Sequence, residues 1–161
     1  MFNTATTEYN SVNATPSKRD YVKELSDACR RGGINFAMYY SLIDWNFPHA
    51  YPISSHNCDF ITPQHHEFSK AQITELLTNY GPVSELWFDM GSNQPEQSKE
   101  LYELVHKLQP DCMVSGRLGN GWYDFAVMAD NKYPEGALQA PWQSAASMFD
   151  ETWSYRSWQK R

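Results

Sequence analysis

An α/β fold with parallel strands is what this sequence predicts, and three observations predict it. Helix-like and strand-like segments alternate in the order α-β-α-β-α-β. Each helical segment is about a dozen residues long, enough to cross from one parallel strand to the next. The strand-like segments are short, mostly apolar and bounded by Gly or Pro.

The elements follow in order. Ser17 and Asp20 approximate a capping box, and Val22, Leu25 and Cys29 recur one turn apart before Arg31-Gly32-Gly33 ends the first helix. Ile34–Ser41 reads as a strand, followed by a polar and aromatic loop to about Pro63. A second helix is expected over residues 66–80, with Phe68, Ile73, Leu76, Leu77 and Tyr80 on one side and Gly81-Pro82 as its stop. Val83–Asp89 is the next strand. Pro95 opens a third helix carrying Leu101, Leu104, Val105 and Leu108 at i, i+3, i+4 and i+7. Pro110 ends it, and Cys112–Arg117 is the third strand. The remainder, rich in Gly, Trp and Pro, shows no periodicity.

Three strands and three helices are something under half of a (β/α)8 barrel, which takes roughly 250 residues. The 161 residues are therefore expected to form part of one such barrel, with further barrel beyond both ends.

Bulk properties narrow the function. A net charge of −6 lacks the basic surface that nucleic acid or an anionic membrane requires, so neither is expected as a partner. No apolar run approaches the roughly 18 residues of a spanning helix, and the first twenty residues hold no apolar signal-peptide region. Cys29, Cys58 and Cys112 are far apart and odd in number, with no metal-ligand spacing, so free thiols are expected and no metal. Aromatic residues reach 15%, and many fall in loop segments: Trp45, Phe47, Tyr51, Trp122, Tyr123, Trp142, Trp153, Tyr155 and Trp158. Loop aromatics suit flat apolar ligand faces, sugar rings among them.

Barrel chemistry sits at the C-terminal strand ends. Three ends are informative here: Tyr39-Tyr40-Ser41, Trp87-Phe88-Asp89 and Ser115-Gly116-Arg117. Alternation puts Trp87 and Asp89 on one face. A carboxylate, an indole, a phenol and a guanidinium would then surround one mouth.

These residues belong to longer blocks. "YYSLIDWNFP", "ELLTNYGPVSELWFD", "LQPDCMVSGRLGNG" and "PWQSAASMFDETWSYRSW", with "ATPSKRDYVKELSDACRRGGINF" near the start, resemble the α-L-fucosidases of glycoside hydrolase family 29 over nearly the whole chain. The resemblance implies a (β/α)8-like glycosidase barrel and retaining hydrolysis of terminal α-L-fucosides through a covalent glycosyl-aspartate, with no cofactor and a fucosylated glycan or glycoconjugate as partner. By the same likeness Asp89 is the nucleophile, Trp87 lines the sugar's apolar side, Tyr39 or Tyr40 bonds near the nucleophile or sugar, and Arg117 binds sugar. Members are commonly secreted, periplasmic or lysosomal; the compartment and the oligomeric state stay open here.

Two departures matter. The family's sugar-binding His-His pair lies on a strand with no counterpart in this chain, and His65-His66 reads instead as a solvated surface pair. The family's Trp-Glu, whose Glu is the acid in many members, is Trp142-Gln143 here. A carboxamide has no titratable proton to give. Asp130, Glu135 and Glu151 are the candidate replacements, with Glu151 placed first and Gln143 assigned to substrate binding. Alternatives to the fucosidase reading are a glycan-binding pseudo-enzyme and a glycosidase acting on an L-galactoside-like sugar.

Overall fold

A computed structural model describes residues 2–48, 58–149 and 152–158. The order is α1 (Tyr21–Gly32), β1 (Ala37–Ser41), α2 (Pro63–Asn79), β2 (Glu85–Asp89), α3 (Pro95–Leu108), β3 (Met113–Val114), a 3-10 turn (Gly116–Leu118), β4 (Ala126–Val127) and β5 (Trp142–Gln143). β1, β2 and β3 form one sheet in that order, both pairs parallel, with Tyr39 beside Trp87 and Ser41 beside Asp89. β2 is the central strand, flanked by the other two. α/β alternation with parallel strands is the architecture of part of a (β/α)8 barrel.

Helix starts follow their local chemistry. Asp20, not Ser17, caps α1 by accepting from the Lys23 amide, and Gly33 at φ 65° closes it in the left-handed conformation. Thr62 caps α2 through the His65 amide, with Pro63 in the first turn, three residues earlier than the apolar pattern implies. Gln94 and Gln97 form a reciprocal capping box on α3.

Period-2 alternation divides the sheet. Met38, Tyr40, Leu86, Phe88 and Val114 are buried and join Ile73, Leu76, Leu77, Leu101 and Val105 of α2 and α3 in the core. A side chain such as Phe88, wholly buried, contributes about 1.5–3 kcal/mol by leaving water. Gln109 ties this layer together: its amide donates to the Leu77 and Gly81 carbonyls and its oxygen accepts from the Val83 amide. The end of α2 and the start of β2 are thereby satisfied by one side chain.

Three expectations are corrected here. His65 and His66 are not a solvated pair: both are buried in the first turn of α2. The His65 ring stacks on Phe47 at 4.8 Å and its Nε2 accepts from the Asp44 amide, while His66 Nε2 lies 3.0 Å from Glu100. Arg117 is not on a strand, because β3 stops at Val114 and the chain turns. The supposedly aperiodic remainder holds β4 and β5, which pair in parallel, and a Ser115–Phe125 bridge joins them to β3. Two-residue strands show no alternation in a sequence. Cys112 is buried, Cys29 partly so and Cys58 exposed, all free.

Candidate active site

The second face of the sheet carries Ala37, Tyr39 and Ser41 from β1 and Glu85, Trp87 and Asp89 from β2, all at least partly exposed. Asp89 is the last residue of β2. Met90 and Gly91 follow at φ 59° and 78°, turning the chain sharply away. Gly91 is required twice over, since an added Cβ would lie 2.8 Å from Ile61 Cδ1 and 3.1 Å from Ile43 Cγ1.

Both Asp89 oxygens are engaged. Tyr39 donates its hydroxyl to Oδ2 at 2.8 Å, and Arg117 donates Nη1 to Oδ1 at 2.9 Å. The Asp89 and Arg117 side chains retain only 21% and 25% exposure. Partial burial and the hydrogen bond to Asp89 push the Tyr39 phenol well above its ordinary range, so it stays a donor at any working pH. Tyr39 stacks on Trp87 with ring centres 5.7 Å apart, and the Arg117 guanidinium sits 5.2 Å over the same indole. One aromatic plane thus positions both groups that hold the carboxylate.

Arg117 reaches this place through Ser115. The Ser115 hydroxyl accepts from the Phe88 amide at 2.8 Å and donates to the Phe88 carbonyl at 3.2 Å, taking over the ladder beside β2. The backbone is then free to turn at Gly116, where a Cβ would press on the Phe125 carbonyl and Val127 amide at 3.1 and 3.0 Å. Arg117 swings back over the sheet. Its Nη2 bonds the Met128 carbonyl at 3.2 Å and also the Asp130 carboxylate. Burial opposes its charge, but the Asp130 and Asp89 carboxylates outweigh that, and the guanidinium is held above its ordinary value.

Gln143, on β5, enters from the other side. It accepts from Trp87 Nε1 at 3.0 Å and donates to Glu85 Oε2 at 2.8 Å. Asp89, Tyr39, Trp87, Arg117 and Gln143 are therefore brought together. Tyr40 is not: it alternates onto the buried face, where its hydroxyl donates to Gln72 at 3.0 Å. Of the three candidate acids, Asp130 joins the cluster, Glu135 is exposed in the loop beyond it, and Glu151 lies outside the described residues. Glu85 was missed by the sequence reading. Its position four residues before Asp89, on the same face, was the available signal. A cleft of about 780 Å³ along the free edge of β1 touches this cluster only at Tyr39 and lacks Asp89, so it is not the carboxylate's pocket.

A sequence profile described as Alpha-L-fucosidase matches residues 1–161. The chain belongs to the alpha-L-fucosidase family. Alpha-L-fucosidase 1 of Arabidopsis thaliana is 32% identical over 106 residues, 62% of this chain and 19% of its own length. Alpha-L-fucosidase isoenzyme 1 from Paenibacillus thiaminolyticus superposes with a TM-score of 0.83 at 28% identity, covering 99% of this chain and 44% of its own. The fucosidase AlfC from Lactobacillus casei, in complex with α-L-fucose product, superposes at 0.68 with 33% identity, covering 83% and 48%. The chain spans about a third or less of the length of the curated alpha-L-fucosidases it matches.

Proposed function

We propose that the protein is the catalytic part, or a portion of it, of an α-L-fucosidase that cleaves terminal α-L-fucosides with retention, Asp89 acting as nucleophile and Asp130 as acid/base. The observation that carries this reading is the single guanidinium of Arg117 spanning two carboxylates, Asp89 at the end of β2 and Asp130 in the loop after β4. Retaining glycosidases need two carboxyl groups about 5–5.5 Å apart, one to attack and one to move a proton. Of the two candidate acids among the described residues, Asp130 shares Arg117 with Asp89 and Glu135 is exposed in the loop beyond. Asp130 is therefore taken as first choice here in place of Glu151, which lies outside the described residues.

In the first step an Asp89 oxygen attacks the anomeric carbon, the bond to the leaving oxygen breaks, and Asp130 gives that oxygen its proton. In the second, Asp130 takes a proton from water, the water oxygen attacks the same carbon, and the Asp89 carboxylate leaves. Two inversions leave the configuration unchanged. To act as the acid, Asp130 must enter the first step carrying a proton taken up from solvent, with a substrate hydroxyl taking its place on Arg117. Trp87 and Tyr39 offer aromatic surface to the sugar's apolar face.

The test is turnover of an aryl α-L-fucoside by the full chain. Asp89→Ala is expected to lose several orders of magnitude in rate, with azide partly restoring turnover and yielding a β-fucosyl azide. Asp130→Ala is expected to spare activated aryl fucosides and to cripple substrates with poor leaving groups. An Asp89→Ala protein that keeps most of its rate would sink the assignment. Fucose binding without turnover of any fucoside by the parent would favour a glycan-binding protein instead, the role Gln143 in place of Glu first suggested.

A further inference from the structure

Gln143 is held in a relay whose polarity has no freedom. An indole N–H can only donate and an ionised carboxylate can only accept. A side chain lying between Trp87 Nε1 and Glu85 must therefore accept on one side and donate on the other. The carboxamide does both, at 3.0 and 2.8 Å. A carboxylate at position 143 would keep the bond from the indole and set a second negative charge against Glu85, at the distance of the present hydrogen bond. Glu85 has no cationic partner among the described residues to absorb that repulsion.

Glu85 is well fixed for this part. It lies on β2 beside Ala37 and Met113, two residues before Trp87 and on the same face. The ring it steadies through Gln143 is the one on which Tyr39 stacks and over which Arg117 lies.

We propose that Glu85 is a positioning residue, acting through Gln143 on Trp87, and that it excludes a carboxylate from position 143. The inference rests on the reading of this cluster as a fucose site. It gives the Gln at 143 a cause: a carboxamide satisfies both the indole and Glu85 without setting a second charge beside that carboxylate.

Two readouts on the full chain test it: L-fucose affinity by calorimetry, and the Trp87 indole N–H resonance, assigned through Trp87→Phe. Gln143→Glu is expected to weaken fucose binding about tenfold or more and to shift the indole resonance, since losing a hydrogen bond to a charged group costs about 1.4 kcal/mol or more. In a Glu85→Gln background the same substitution should cost less than about threefold, because the new amide at 85 can donate to the carboxylate at 143. Equal costs in the two backgrounds would overturn the proposal, as would unchanged affinity or a gain in turnover of poor leaving groups by Gln143→Glu alone. Glu85→Leu guards against misfolding of the charged variant: it should move the indole resonance, and an unmoved resonance refutes the relay. If the parent binds no fucose, the fucosidase reading fails, while the resonance still decides whether Glu85 acts on Trp87.

Discussion

Gly91→Ala puts a number on how tightly the turn after Asp89 is built. The backbone there has φ 78°, and the left-handed region costs an L-residue about 1–2 kcal/mol. The new methyl would also stand 2.8 Å from Ile61 Cδ1, 3.1 Å from Ile43 Cγ1 and 3.3 Å from Leu42 Cβ. The Ile61 contact is with a side-chain tip that can shift, but Leu42 Cβ is fixed to the backbone, so overpacking adds about 1–2 kcal/mol, the lower part of its usual range. The sum is about 2–4 kcal/mol. Gly33→Ala is the control: its backbone is left-handed at φ 65° and ψ 28° and nothing lies within 4 Å of the new Cβ, so strain acts alone at about 1–2 kcal/mol. Urea denaturation of both variants beside the parent gives the two differences directly. Gly91→Ala should also lower turnover, since the turn aims Asp89, whereas Gly33→Ala, at the end of α1, should affect stability alone. Equal destabilisation of the two variants would refute the packing argument, and a Gly91→Ala protein as stable as the parent would refute both parts of it.

Other expectations follow from the same geometry. Tyr39→Phe keeps the stack on Trp87 and removes the hydroxyl donated to Asp89, so kcat should fall about tenfold with KM little changed, read from aryl fucoside kinetics. Arg117→Lys keeps the charge but cannot span Asp89, Asp130 and the Met128 carbonyl together, and should lower kcat/KM by about tenfold or more. Burial holds the His65 ring below its ordinary value of 6.5, with Asp44 opposing, and its Nε2 accepts from an amide. The unfolded chain binds that proton more readily than the folded one. His65 therefore contributes full stability above about pH 6.5, lost as pH falls toward the depressed folded value. Denaturation midpoints across pH 4–8 should show a slope that His65→Gln flattens.

The sequence by itself determined the layered α/β plan, because periodicity and caps are local. Leu101, Leu104, Val105 and Leu108 mark a helix face whatever surrounds them, and Leu86, Phe88 and Asp89 end a strand on a charge regardless of neighbours. Alternation also chose Trp87 and Asp89 as companions. It could have chosen Tyr39 over Tyr40 had β1's register against β2 been known, but register is a pairing between distant segments. Tertiary structure alone decided which carboxylate joins Asp89. Asp130 lies 41 positions on in a loop without periodicity, and only the turn at Ser115-Gly116 lets one guanidinium hold both. His65 and His66 look like surface residues because their composition is polar; the Phe47 ring and Glu100 that cover and pair them come from elsewhere in the chain. The relay from Trp87 through Gln143 to Glu85 is of the same kind, since a donor's direction is set by what stands opposite it, and sequence neighbours do not say what that is.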